Sequence, residues 1–222
     1  IGQMMALYGE HFLPDEVTVA LHALEDRTVA LEWPVIRRVL ERELGRQRLA
    51  QLAIEPVPIG AASLGQVHLA RRLADDRALC LKVQYPGVAD SIDADIDSVV
   101  RMLELGRMVA PTEEFRSWLE EVREMLHREV DYTLEAAKTQ LFHERLKRDP
   151  RFVVPEVVPE YSTAHVLATS FEQGYAVTSA DAEALPLARR NELGRAFLEL
   201  FHKHPKRLKN SDALLYTIAS PT

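Results

Sequence analysis

Between Pro56 and Arg72 the chain reads PVPIGAASLGQVHLARR, which gathers Gly60, Ala61, Ala62, Ser63 and Gly65 into one short stretch. Small residues let backbone N–H groups come close to an anion, and glycine permits a positive φ, so this stretch could hold phosphate. Taken alone, the pattern describes a glycine-containing hairpin corner equally well. Lys82 shifts that balance. It follows Val67 by fifteen residues and stands in RALCLKVQY, a run that alternates like a strand. Alternation puts Ala78, Cys80, Lys82 and Gln84 on one face and Leu79, Leu81, Val83 and Tyr85 on the other. Lys82 therefore points into a face otherwise lined by small residues.

A lysine that holds phosphates needs an acidic partner to orient it. Phe115, Trp118, Leu119, Val122, Leu126, Val130, Leu134, Ala137 and Leu141 form an apolar arc at helical spacing, and Glu129 falls inside it. A carboxylate there is costly unless paired, and Lys82 is the expected partner. An ion pair with Arg123 or Arg128 is the plainer alternative. Asp131 sits roughly 200° further round an ideal helix, so the two carboxylates serve one ion only if the helix ends or bends between them.

Gly60, Ala62, Gly65 and Val67 follow the spacing of the protein-kinase loop G-x-G-x-x-G-x-V with alanine for the middle glycine, and LCLK stands where a kinase has V-A-I-K. Gln66 excludes a Walker A loop, and the strand after the loop argues against a dinucleotide-binding turn. Asp90, Asp93 and Asp97 share a helical face that reads as solvated rather than metal-binding. His202 and His204 fall on different helical faces and make a poor ligand pair. Ser63 lacks a nucleophile-elbow context. Cys80 is the only cysteine, which excludes an internal disulfide and a cysteine-rich zinc site, and on Lys82's face it would pack on a nucleotide base. The formal net charge of −7 argues against nucleic acid as a partner. No apolar run reaches the roughly 18 to 20 residues that span a bilayer.

The elements that must position these groups are legible in outline. Helices are expected over IGQMMALYGE, PDEVTVALHALED and EWPVIRRVLERELG, with Gly45 as the stop of the third. Short alternating runs follow from Ile54 to Tyr85, with LADD as the turn between two strands. Two long helices are expected over about 88–109 and 113–146, then two short strands or extended segments in RFVVPEVVPEYS and AHVLATSFEQG, then a helix over LPLARRNELGRAFLELFHKH. This order predicts an α+β fold with a small antiparallel sheet flanked by helices.

Several motifs then share one resemblance. GAASLGQV resembles the alanine-rich loop A-A-A-S-x-G-Q-V of the UbiB/AarF (ABC1-type) atypical kinases, a family that supports ubiquinone and other isoprenoid-lipid metabolism. LKVQYPGV is similar to the segment around that family's strand lysine, EVDYTLEAA to its E-x-D motif, and IGQ to the end of its K-x-G-Q motif. VVPEVVPEYSTAHVLATSFEQG is similar to the strands leading to its interlobe hinge. The resemblance runs from Ile1 to about Leu200. It implies a protein-kinase-like N-lobe, with residues 1–50 as an N-terminal helical extension, 51–172 as the lobe, and 173–222 as the hinge exit and an incomplete C-lobe. It implies that Gly60, Ala61, Ala62, Ser63, Gly65 and Val67 cover phosphates that Lys82 holds, that Glu129 orients Lys82, and that Asp131 and Gln3 belong to the network covering the pocket. ATP or ADP with Mg²⁺ is the implied cofactor. A lipid or membrane surface and quinone-biosynthesis proteins are further expected partners, at a cytoplasmic or membrane-peripheral site in a bacterium and in the mitochondrion of a eukaryote.

The departures shape the expected function. Ser170 stands about where the family carries an acidic hinge residue. A kinase needs an aspartate with an asparagine five residues on, but Pro186 follows Asp181 at that distance and Thr217 follows Asp212. The chain, which begins at Ile1, is therefore expected to be a fragment that binds nucleotide without transferring phosphate. The alternative is a non-catalytic interaction module for a protein partner or membrane surface.

Overall fold

The computed structural model describes residues 30–61, 64–106, 112–175, 177 and 179–203. Gln3 and the first two expected helices lie outside the described residues, as do Ala62 and Ser63.

Helix α1 (Trp33–Leu49) opens with Pro34 in its first turn, where a missing N–H is harmless, and turns Ile36, Val39, Leu40 and Leu44 inward. Gly45 breaks its geometry at φ 74°, ψ 158°, at the position expected to stop it. The strands are β1 (Leu52–Ile54), β2 (Gly60–Ala61), β3 (Gly65–Arg72), β4 (Ala78–Gln84) and β5 (Val166–Ser170). They form an antiparallel sheet in the order β1-β3-β4-β5, with β2 paired to the start of β3. LADD is the turn of the β3–β4 hairpin, and ion pairs of Arg71 with Asp76 and Arg72 with Asp75 hold it.

Alternation along β4 divides the sheet. Leu79, Leu81 and Val83 are 0% exposed and pack with Val166 and Ala168 of β5 against Ile36, Leu40 and Leu44 of α1. Each fully buried Leu or Ile of this layer stabilises the fold by roughly 1.5–3 kcal/mol. A polar relay lies beside it. The Gln66 carboxamide exchanges hydrogen bonds with the Leu31 backbone at 2.8 and 3.2 Å and contacts His68 Nε2 at 2.8 Å, while His68 Nδ1 reaches Glu55 O at 2.8 Å. With Gln66 Nε2 donating, His68 is the neutral tautomer that carries its proton on Nδ1.

Helices α2 (Val88–Leu105) and α3 (Glu113–Glu129) pack through Ile92, Ile96 and Leu103 on Phe115, Trp118, Leu119, Val122 and Leu126. The aspartate face of α2 is bridged rather than merely solvated: Arg123 bonds Asp93 at 2.6 Å and Asp97 at 2.8 Å. The single helix expected over 113–146 is two, because the chain leaves helical geometry at Asp131 (φ −97°, ψ 93°) and restarts as α4 (Tyr132–Leu146). The Asp131 carboxylate caps α4 by accepting from Thr133 N at 2.9 Å, which satisfies a backbone donor orphaned at the helix start. The apolar arc accordingly holds only as far as Val130. Leu134, Ala137 and Leu141 are exposed, and α4 buries Tyr132, Phe142 and Leu146 instead.

Of the two readings open for RFVVPEVVPEYS, the structure has the extended segment and not the strand. Pro155 and Pro159 remove ladder donors, leaving one bridge between Val157 and Thr169 and a 3₁₀ turn at Pro159–Tyr161. Helices α5 (Ala180–Glu183) and α6 (Leu187–Lys203) follow, and Leu200 of α6 joins Phe142, Leu146 and Val154 in a small cluster. Among the described residues no helix is long and apolar enough to cross a membrane.

Candidate functional site

The second face of the sheet carries the residues that the sequence singled out. Register sets Gly65 opposite Gln84, Val67 opposite Lys82, and Leu69 opposite Cys80, while β5 places Thr169 beside Cys80 and Leu167 beside Lys82. Gly60 pairs with Val67 and Ala61 with Gln66, so β2 lies along the edge of β3 opposite to Lys82's strand. Neither Gly60 nor Gly65 has the positive φ expected of such a loop. Gly65 is needed for room: a Cβ there would lie 2.6 Å from Val83 O and 2.8 Å from the Tyr132 hydroxyl.

Lys82 Nζ donates to Glu135 Oε2 at 2.6 Å and lies 4.7 Å from the centre of the Tyr132 ring. The two side chains are 35% and 21% exposed, half-buried enough for a charge-assisted hydrogen bond and open enough to meet a ligand. The sequence expected Glu129 as the partner of Lys82; the structure shows Lys82 bonded to Glu135. The break at Asp131 is the reason, since it sets the first turn of α4 beneath β4 and leaves Glu129 at the end of α3. Glu129 is half-buried there and acts with Glu135 on the Tyr132 phenol. Arg123 bonds Asp93 and Asp97, and Arg128 bonds Glu124. The helix does end between Glu129 and Asp131, so the geometric bar to their acting together is lifted. The Asp131 carboxylate, however, serves Thr133 N and Oγ1.

Two hydrogen bonds fix this junction. Gln84 Nε2 donates to Val130 O at 2.7 Å, and Tyr132 N donates to Ala164 O at 3.0 Å. The first ties the α3–α4 corner to the strand of Lys82, and the second ties it to the approach to β5. Burial, followed by the charges of Glu135 and Glu129, pushes the Tyr132 phenol well above its ordinary range, so it stays neutral.

Toward the other end of the face, burial and then Glu172 push the Cys80 thiol up to about 11, which suits packing and not nucleophilic attack. Ser170 is buried, accepts from Glu156 N at 2.9 Å and donates to Glu172 Oε1 at 2.6 Å. A carboxylate thus stands two residues beyond the place where the resemblance expected one. Among the described residues no group of three or more His, Cys, Asp or Glu side chains could hold a metal ion. Sequence reasoning missed Glu135 and Tyr132. The signal that could have found them is Asp131 itself, a helix-capping residue placed just before Tyr132 and Thr133.

A small antiparallel sheet, a small-residue hairpin loop, and a strand lysine bonded to a helix glutamate define a protein-kinase-like N-lobe. Residues 23–208 match the ABC1 atypical kinase-like domain, and the chain belongs to that family. It is 32% identical over 175 residues to "Atypical kinase COQ8, mitochondrial" of Saccharomyces cerevisiae, covering 78% of this chain and 35% of the relative. It is 35% identical over 178 residues to "Atypical kinase COQ8B, mitochondrial" of Danio rerio, covering 78% of this chain and 28% of that protein. The chain thus spans about a third of the length of these curated relatives. Among solved structures it is similar to "The complex structure of Rv3197-erythromycin from Mycobacterium tuberculosis", with a TM-score of 0.67 and 28% identity over 94% of this chain and 52% of that one.

Proposed function

We propose that this chain is the nucleotide-binding portion of a UbiB-like atypical kinase or ATPase that supports ubiquinone biosynthesis. The observation that carries the reading is the 2.6 Å bond between Lys82 and Glu135, both of which are partly exposed. In this reading Lys82 holds the α- and β-phosphates of ATP or ADP, and Glu135 keeps the ammonium aimed at them. Gly60, Ala61, Ala62, Ser63 and Gly65 cover the phosphates. Val67, Leu69, Cys80 and Thr169 supply the floor for the base. Glu129, Asp131 and Gln3 belong to the network covering the pocket. Mg²⁺ bound with the nucleotide would neutralise part of the phosphate charge.

The relatives named atypical kinases support the reaction class, and those named mitochondrial support that compartment if the source is eukaryotic. The division into segments 1–50, 51–172 and 173–222 remains a proposal. In it α1, within the first segment, forms part of the lobe's core. A lipid or membrane surface and quinone-biosynthesis proteins are the proposed further partners. No transfer step is assigned to this chain, because its sequence after β5 carries no aspartate with an asparagine five residues on. Isothermal titration of Mg·ATP into the chain and its Lys82→Ala variant tests the reading. The variant should bind at least about tenfold more weakly; equal affinity for both would contradict the assignment.

A further inference from the structure

Nine apolar positions at helical spacing, from Phe115 to Leu141, favour one continuous helix, yet the chain leaves helical geometry at Asp131. Such a break strands backbone groups on both sides of it. In a continuous helix Tyr132 N would donate to Arg128 O, and Val130 O would accept from Leu134 N. Here Tyr132 N donates to Ala164 O at 3.0 Å, and Leu134 N turns to Asp131 O at 3.1 Å. The Val130 carbonyl is thus left without a donor from the helix. Gln84 supplies one, its Nε2 donating to Val130 O at 2.7 Å.

Gln84 is 3% exposed and stands two residues after Lys82 on the same face of β4. A methionine or leucine would fill its place without the cost of burying a carboxamide. The carbonyl it satisfies explains the residue type, and its place on the strand explains more. β4 presents Lys82 to Glu135 at 2.6 Å and, one step along the same face, Gln84 to Val130 at 2.7 Å. The second bond fixes where α3 ends and α4 begins, and the start of α4 fixes where Glu135 stands. A helix running on through Asp131 would carry Glu135 about 240° round from Glu129, at about 100° per residue. Presenting Glu129 to the sheet would then turn Glu135 away from it.

We propose that Gln84 is a positioning residue for the nucleotide site. By taking up the Val130 carbonyl it holds the break between α3 and α4 in place, and so selects Glu135 rather than Glu129 as the carboxylate that orients Lys82. Its effect on binding rests on the nucleotide-site reading above; its effect on the helix break does not. Gln84 touches no substrate in this account and acts through Glu135.

The test uses the chain as it stands, with two single variants. Gln84→Met keeps the length of the side chain and loses its donor, and Gln84→Asn has an amide that stops one methylene short of Val130 O. The ¹³Cα shift of Asp131 is read without nucleotide, and Mg·ATP affinity is measured calorimetrically with and without Glu135→Gln. In the parent, Asp131 should show a non-helical shift, in keeping with its φ of −97° and ψ of 93°. Glu135→Gln should weaken binding by the parent about tenfold. In both Gln84 variants the Asp131 shift should move to helical values, binding should itself weaken about tenfold, and adding Glu135→Gln should cost less than about twofold more. A packing role alone would make the two losses multiply, since it does not run through Glu135. Multiplying losses or an unmoved Asp131 shift would overturn the proposal, as would a failure of both variants to fold, which would make Gln84 a core residue. A parent chain that does not bind ATP, or binds it equally with and without the Glu135 carboxylate, would remove the nucleotide-site reading, and the Asp131 shift would then decide by itself whether Gln84 holds the helix break.

Discussion

Along β4, Leu79, Leu81 and Val83 turn toward α1 and are 0% exposed, whereas Cys80 and Lys82 turn toward α4 and stay half-buried. The first set packs in the aliphatic layer beside the paired Gln66–His68 relay. The second meets Glu135 and an unpaired phenol. One strand therefore supplies both a dry layer and a charged one, because its period of two sends neighbouring residues to opposite sides. The comparison teaches a division of labour. Cohesion comes from the α1 face, and the α4 face keeps groups whose hydrogen bonding and charge are open to a ligand.

Substitutions can break or sharpen that contrast. Leu81→Ala on the dry face should cost about 2–5 kcal/mol of stability in urea unfolding, while the folded fraction keeps its ATP affinity. Lost affinity without lost stability would invert the assignment of the faces. Gly65→Ala should cost about 1–3 kcal/mol, since its Cβ meets both the Val83 carbonyl and the Tyr132 hydroxyl, and should weaken nucleotide binding as the loop root shifts. Glu135→Gln should change stability by less than about 1 kcal/mol, because its partner Lys82 is partly solvated. It should nevertheless weaken ATP binding by about tenfold. Glu129→Gln should have the smaller effect on binding, and the reverse ranking would restore Glu129 as the orienting carboxylate.

A milder effect is expected from pH. Burial holds His68 below its ordinary value of 6.5, so the unfolded chain takes up a proton before the folded chain does. Stability should fall as pH drops below about 6.5 and keep falling until the lowered pKa is passed. Protonation would also set an Nε2–H against the Gln66 amide. Urea midpoints at about pH 7.5 and about pH 5.5 should diverge more for the parent than for His68→Gln, and equal divergence would show that His68 is not the group responsible.

How far the sequence reached follows from these residues. The β3–β4 hairpin, its turn, and the face of Lys82 were legible because strict alternation and flanking turn residues leave little freedom of register. The small-residue loop was legible as a loop, but the reason for Gly65 was not. That reason is the approach of Val83 and Tyr132, and neither contact is local in sequence. Glu135 was hidden because the apolar period runs from Phe115 through Leu141 with no proline or glycine to mark a break. Only a side-chain cap at Asp131 interrupts it, and a single polar residue competes weakly with nine periodic apolar positions in any reading by pattern.

The central claim is that nucleotide binds on the α4 face of the sheet and nowhere on the α1 face. Amide chemical shifts of the ¹⁵N-labelled chain during a Mg·ATP titration test it most directly. The expected result is movement at Gly65, Val67, Lys82, Glu135 and Thr169, with Ile36, Leu40 and Leu44 of α1 unmoved. Shifts concentrated on α1, or none at saturating nucleotide, would contradict it.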